Sequence, residues 1–228
     1  MAERLAAVRA RIAAAAARAG RDPGEVVLVG VSKRHPAAAV AAAAAAGLTH
    51  LGENFVQEAR EKISKVRGLL EGSEQPLRWH FVGQLQRNKA KLAAELFDCV
   101  ESVDRAALAV ALDRRAEESG RVLQVLLQVN LSGEPQKGGA APEDLPALLA
   151  RCRQLRHLHV RGLMTVPAQE REAARPSFAR LRELRDAQEA PKTLPELSMG
   201  MSADFETAIE EGATLVRVGT AIFGPRET

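Results

Sequence analysis

The apolar positions of this chain come in short runs that end in polar residues, and nearly every run leads into a stretch of helical composition. The clearest run is VVLVGVSK at 26–33. Val, Leu and Gly suit a strand covered on both faces. A hydroxyl and an amine then arrive together, before His35 and Pro36 end it. Further runs fall at 50–54, 78–83, 99–104, 122–130, 158–166, 196–199 and 214–219. The intervening pattern predicts helices over 36–47, 55–66, 88–96, 105–119, 142–155 and 171–188, with one more that starts at Ser202 and stops at Gly212. A helix over 2–19 precedes the first strand, with Gly20 as its stop. Residues 22–24, 72–76 and 131–141 read as turns or loops, and a short tail follows the last strand.

Helical stretches between successive strands are crossovers long enough for parallel pairing. An open doubly wound sheet would satisfy them. Eight regular units in one chain favour an α/β fold of the closed (β/α)8 kind, a TIM barrel with an extra N-terminal helix. No low-complexity linker interrupts the pattern, so residues 1–228 are expected to form a single domain.

Composition narrows the class. The chain has 228 residues, 46% hydrophobic and 27% charged, with a formal net charge of +3. That is ordinary for a globular protein large enough to bury a substantial core. Aromatics are 3% and Tyr is absent, so the basic surface lacks the stackers of a nucleic-acid site. Cys99 and Cys152 have no metal-ligand spacing and read as free thiols of a reducing compartment. Arg4, Arg9, Arg11 and Arg18 interrupt the Ala-rich start, which rules out a signal-peptide core there, and the Ala run at 37–46 is too short to span a bilayer. A cytoplasmic protein with no membrane or nucleic-acid partner is expected. A monomer is expected too, because no exposed apolar helix face stands out.

In a barrel of this kind the C-terminal strand ends form the site. Here they carry Ser32 and Lys33, Glu53 and Asn54, His80 to Gln84, Asp104, Asn130, Met164 and Thr165, Ser198 to Ser202, and Arg217 with Gly219 and Thr220. Lys33 shares a period-two face with Val27, Val29 and Val31; an amine in such apolar surroundings loses charge more easily and can attack a carbonyl. Ser202 reads as the N-cap of the following helix, and that helix start and the Gly219-Thr220 turn both suit a phosphate. Arg217 shares a face with Leu215 and Gly219. An inward guanidinium needs an acceptor: a neighbouring strand's carboxylate, a ring nitrogen or a ligand carboxylate. A lysine nucleophile, a phosphate seat and an inward arginine suit a phosphorylated aldehyde. Pyridoxal phosphate (PLP) fits, and a lysine-type sugar-phosphate aldolase fits almost as well.

Seven stretches carry a resemblance to a known family: VGVSK at 29–33, LGENFVQEA at 51–59, WHFVGQLQRNK at 79–89, VNLSGEPQKGG at 129–139, GLMTV at 162–166, LSMGMSADFETAI at 197–209 and VRVGTAIFG at 216–224. In this order they resemble the YggS/PROSC family of pyridoxal phosphate homeostasis proteins. The resemblance implies a barrel like the N-terminal domain of alanine racemase, with PLP as an internal aldimine on Lys33. It implies Arg217 at the pyridine nitrogen and the phosphate held by Ser198 or Ser202, Gly219 and Thr220. Asn54 and His80 match family positions near the cofactor, although His80 would also serve as a barrel-layer residue; Met164, at the end of its strand, is expected to contact the cofactor too. Lys137 matches a family lysine expected near the mouth of the site. Gly138 and Gly139 follow it directly, a departure from the family's usual spacing.

Two functions then compete. One is a non-catalytic PLP carrier that buffers the cofactor or supplies it to PLP-dependent apoenzymes. The other is a PLP-dependent amino acid racemase. An arginine at the ring nitrogen makes the ring a weaker electron sink. Two-base racemisation also needs a second acid–base group, which alanine racemase supplies as a Tyr; this chain has none and offers no obvious substitute, His80 being the one alternative kept open. The carrier is the favoured reading.

Overall fold

The computed structural model describes residues 1–73, 76–134, 137–167, 171–188 and 193–225. Positions 74 and 75 of the predicted loop at 72–76, positions 135 and 136 of the loop at 131–141, and 226–228 of the tail lie outside them. Eight strands form a closed barrel in sequence order: β1 (Val27–Val31), β2 (His50–Glu53), β3 (Arg78–Phe81), β4 (Cys99–Val103), β5 (Leu123–Gln128), β6 (Leu158–Met164), β7 (Glu196–Ser198) and β8 (Leu215–Val218). All neighbours are parallel, and β8 returns to β1 with Val29 opposite Arg217. The expected TIM barrel is the observed fold.

The outer layer comprises α1 (Ala2–Arg18), α2 (Ala37–Ala45), α3 (Val56–Leu69), α4 (Ala90–Leu96), α5 (Ala106–Glu118), α6 (Leu145–Arg153), α7 (Arg171–Ala187), α8 (Phe205–Glu210) and α9 (Thr220–Phe223). The extra helix α1 buries Leu5, Val8, Ile12, Ala15 and Ala16 at helical spacing. It packs on α8 and α9, with Arg11 and Arg18 each 2.8 Å from Glu206 and Glu210. Among the described residues no helix is long and apolar enough to cross a membrane.

Two features at the end of the chain differ from expectation. Ser202 does not cap a helix: residues 202–204 form a turn and α8 begins at Phe205. Gly200 has φ +90°, and a Cβ there would lie 2.5 Å from Ala208 Cβ, so the chain passes close against α8 at a position only glycine fits. Asp204 Oδ1 accepts the Met201 N–H at 2.6 Å across this turn. The predicted tail, in turn, begins as the one-turn helix α9.

Inside the barrel, alternation is interrupted by register shifts in the β4–β5 and β5–β6 pairings. Cys99, Leu126 and Met164 make a small apolar cluster of their own, separate from the large core between barrel and helices, with Val166 against it. Met164 is therefore part of the filling under the C-terminal mouth, and Val166, two residues on, reaches the mouth itself.

Candidate functional site

A cavity of about 350 Å³ opens at the C-terminal end of the barrel. Six sequence-predicted residues meet in its wall: Lys33, Asn54, Ser202, Arg217, Gly219 and Thr220. Strand ends β1, β2 and β8 and the turn after β7 bring them together, as the polar ends of apolar strands must. A somewhat larger cavity, about 410 Å³, lies at the opposite end beside α1 and includes Arg9 and His50 but no lysine.

Buried charge clamps the backbone on both sides of Lys33. Lys62, from α3, reaches the Ser32 carbonyl at 2.7 Å, Glu53 Oε1 at 2.6 Å and Glu58 Oε1 at 2.7 Å. The Ser32 hydroxyl donates to Glu53 Oε1 at 2.6 Å, and the Arg34 N–H donates to Glu58 Oε1 at 2.5 Å. Arg34 has φ +62°, an uncommon conformation for a side-chain-bearing residue, held here by that bond. Burial raises the Glu53 pKa against the pull of Lys62 and Ser32.

Arg217 forms the floor. It is 5% exposed; Nη1 donates to Ser198 Oγ at 2.5 Å and Nη2 to the Thr165 carbonyl at 2.7 Å. Burial lowers its pKa, opposed by the charges of Glu101 and Asp204. Its carboxylate partner is Glu101 from β4, across the barrel, at 3.9 Å. An inward carboxylate in the otherwise strand-like CVESV was the signal available in the sequence; it went unused.

Three predicted residues lie below the cavity wall. Ser198 is fully buried and donates to Glu101 Oε2 at 2.5 Å, so of the two serines Ser202 is the one at the cavity. His80 is 4% exposed, with Nδ1 2.7 Å from Glu101 Oε1 and Nε2 2.9 Å from His50 Nδ1. It fills a barrel layer. Met164 sits in the apolar filling already described. Lys137 is also away from the wall, paired with Glu134 Oε1 at 2.7 Å and donating to the Pro167 carbonyl at 3.0 Å.

The rest of the wall is Val31, His35, Val82, Val166, Met201 and Ala203. Val82 and Val166 lie two residues past inward-facing His80 and Met164, so strand period alone could have found them. His35 stacks on Phe223, ring centroids 5.2 Å apart.

The wall fits a small phosphorylated ligand with a ring. Among the described residues the buried Asn54 Oδ1 has no hydrogen-bond partner, an acceptor in want of a donor. At Gly219 a Cβ would lie 3.1 Å from the Val31 carbonyl oxygen; the missing side chain leaves the backbone open beside the hydroxyls of Ser202 and Thr220. One amine, one guanidinium and these hydroxyls supply the donors that an aldehyde, a ring nitrogen and a phosphate require.

A family model described as alanine racemase, N-terminal domain, matches residues 4–227. The chain is 51% identical over 229 residues to a pyridoxal phosphate homeostasis protein of Pseudomonas aeruginosa, covering 100% of this chain and 96% of that one. It is 43% identical over 231 residues to a protein of the same name from Escherichia coli, covering 100% and 97%. Among solved structures, PipY of Synechococcus elongatus with PLP bound superposes with a TM-score of 0.84 at 43% identity, covering 98% of this chain and 99% of that one. An alanine racemase of Clostridium difficile gives 0.72 at 16% identity, covering 90% of this chain and 53% of that one, a likeness of fold alone.

Proposed function

The chain belongs to the alanine racemase N-terminal domain family, and from that membership we propose that it is a PLP-binding protein that buffers or supplies the cofactor without catalytic turnover. The observation that carries the reading is the meeting of Lys33 and Arg217 in one cavity with Ser202, Gly219 and Thr220. In this reading Lys33 holds PLP covalently through its aldehyde carbon, and Arg217 donates to the ring nitrogen. Ser202, Gly219 and Thr220 take the phosphate, and Asn54 lies alongside. Met164, His80 and Ser198 support the site from below. PLP, when bound, supplies an electrophilic aldehyde and a conjugated ring. The clamp of Lys62, Glu53 and Glu58 keeps the Lys33 backbone in place, and the apolar wall of Val31, Val82 and Val166 limits water.

The carrier reading is supported over a racemase by the want of an opposing acid–base group. The chain has no Tyr, and both ring nitrogens of His80 are engaged below the cavity. His35 is the one imidazole on the wall among the described residues, and it comes from the same strand end as Lys33. We read residues 1–228 as one domain, acting as a cytoplasmic monomer that serves PLP-dependent apoenzymes.

The test mixes purified protein with PLP, records the visible spectrum, reduces with borohydride and maps the labelled peptide in wild type and Lys33→Ala. A visible band with label at Lys33, lost in the variant, is the expected result. No band and no label would remove the PLP reading and leave a Schiff-base aldolase or plain phosphate-ligand barrel. Racemase and transaminase assays on the same sample decide between carrier and enzyme; turnover abolished by His35→Asn would make the protein a racemase or transaminase.

A further inference from the structure

Beneath the cavity a line of buried polar side chains crosses the barrel. It begins at His50, in the wall of the cavity at the N-terminal end. His50 Nδ1 lies 2.9 Å from His80 Nε2, and His80 Nδ1 lies 2.7 Å from Glu101 Oε1. From the other side Arg217 Nη1 reaches Ser198 Oγ at 2.5 Å, and Ser198 reaches Glu101 Oε2 at 2.5 Å. Five strands contribute one residue each, and the line ends in the floor of the candidate PLP site.

The directions of these bonds follow from the chemistry of Glu101. Burial opposes its charge, but the hydrogen bond and charge of His80, the charge of Arg217 and the Ser198 hydroxyl together hold its pKa below the usual carboxylate range. An ionised carboxylate only accepts. The Ser198 hydrogen therefore points at Glu101, which turns the oxygen's lone pairs toward Arg217. His80 carries its hydrogen on Nδ1. Both arms converge on Glu101, and hydrogen bonds in series strengthen one another when they end on an anion.

We propose that Glu101 is a positioning residue for the ring of the bound cofactor: through Ser198 it fixes the Arg217 guanidinium at the cavity floor and balances its charge. This rests on the reading of the cavity as a PLP site. Glu101 does not itself line the cavity. A neutral amide in its place offers only one accepting oxygen, so one arm must reorganise, either by a change of the His80 tautomer or by the Ser198 O–H turning away, and the negative charge is lost in both cases. Arg217 then keeps the Thr165 carbonyl and the charge of Asp204, but loses the charge of Glu101 and the fixed orientation of the Ser198 hydroxyl. The cavity becomes more positive, and protonation of a ligand within it becomes harder.

The test follows the visible band of the PLP-loaded protein across pH, and its release of radiolabelled PLP into excess unlabelled PLP, in wild type, Glu101→Gln, Ser198→Ala and Glu101→Asp. We expect the spectral midpoint of Glu101→Gln to fall by about 0.5–1 pH unit. Release should be about threefold faster or more in both Glu101→Gln and Ser198→Ala. Glu101→Asp, which keeps the charge, should recover part of the midpoint shift. Wild-type midpoint and release in both Glu101→Gln and Ser198→Ala, even with lowered thermal stability, would reduce the line to a structural network and overturn the proposal. Should Glu101→Gln fail to fold, faster release from Ser198→Ala together with a Glu101→Asp midpoint less than about 0.5 pH unit below wild type upholds the proposal, and any other pair of results overturns it. A wild-type protein that takes up no PLP would instead refute the reading of the cavity, and this inference with it.

Discussion

Glu53 and Glu101 are both fully buried carboxylates facing a cation, one beside the mouth of the barrel and one within it. Their pKa values move in opposite directions, up for Glu53 and down for Glu101. Burial acts the same way on both. The difference lies in how the oxygens are served. Glu53 takes both Ser32 and Lys62 on Oε1, and its buried Oε2 has no partner among the described residues. Its cation is shared with a second carboxylate, Glu58. Glu101 has a donor on each oxygen and no competing carboxylate in its line. A buried charge is thus kept by the number and direction of its hydrogen bonds more than by the mere nearness of an opposite charge.

The largest expected effect comes from removing the cation of the Glu53 clamp. Lys62→Met strands two carboxylates, and we expect a loss of about 3–5 kcal/mol in urea unfolding, as for one partner of a buried pair. Lys33 would lose its backbone clamp, so PLP labelling should fall as well. A cost below about 1 kcal/mol would mean that Lys62 is not holding the clamp.

A smaller effect separates the two carboxylates directly. Glu53→Gln can keep its accepting oxygen toward Lys62 and Ser32, turning the NH2 to the side already without a partner. Glu101→Gln leaves one accepting oxygen for two arms that both donate to the carboxylate, so one arm must turn its hydrogen away or change tautomer. The second substitution should cost about 1–3 kcal/mol more than the first in the same unfolding assay. Equal costs would break the comparison. Its pH form has a definite sign. Glu53, with its pKa raised, contributes stability in acid that is lost as pH rises through its folded value. Glu101, with its pKa lowered, contributes stability above the ordinary carboxylate range that is lost as pH falls through its folded value.

The smallest effect concerns the far arm of the Glu101 line. Burial first, then the charges of His80 and Arg78, lower the His50 pKa from 6.5 to about 4. The folded protein therefore resists protonation that the unfolded chain accepts, and stability falls as pH drops from 6.5 toward about 4. Because the ring is only half-buried, the contribution is about 1–2 kcal/mol. His50→Asn should flatten the stability profile across that window, and an unchanged slope would assign the loss to other groups.

Much of this arrangement was legible in the chain itself. Lys33, Asn54, Arg217, Gly219 and Thr220 are polar groups ending apolar runs, and local periodicity is enough to set them at one end of a parallel barrel. Ser202 reached the cavity for a different reason from the one its sequence suggested. The N-cap pattern was present, but residues 202–204 form a turn in which Asp204 accepts the Met201 N–H, and α8 starts at Phe205.

The residues that sequence reasoning set too high are those whose depth depends on closure. Met164, His80 and Ser198 face inward as period two requires, yet they lie a layer below the cavity, because depth is set by the stagger of neighbouring strands. Glu101 shows the same limit more sharply. Arg217 demanded an acceptor, and a neighbouring strand was the natural place to look. The carboxylate instead comes from β4, across the barrel, on a strand whose pairing with β5 shifts register between Val100 and Val103. The amino-acid sequence determined which side chains point inward and which end of the strands carries the chemistry, because alternation is a local property of the backbone. Only the closed barrel decided which inward groups meet, because that depends on the relative slide of strands far apart in the chain.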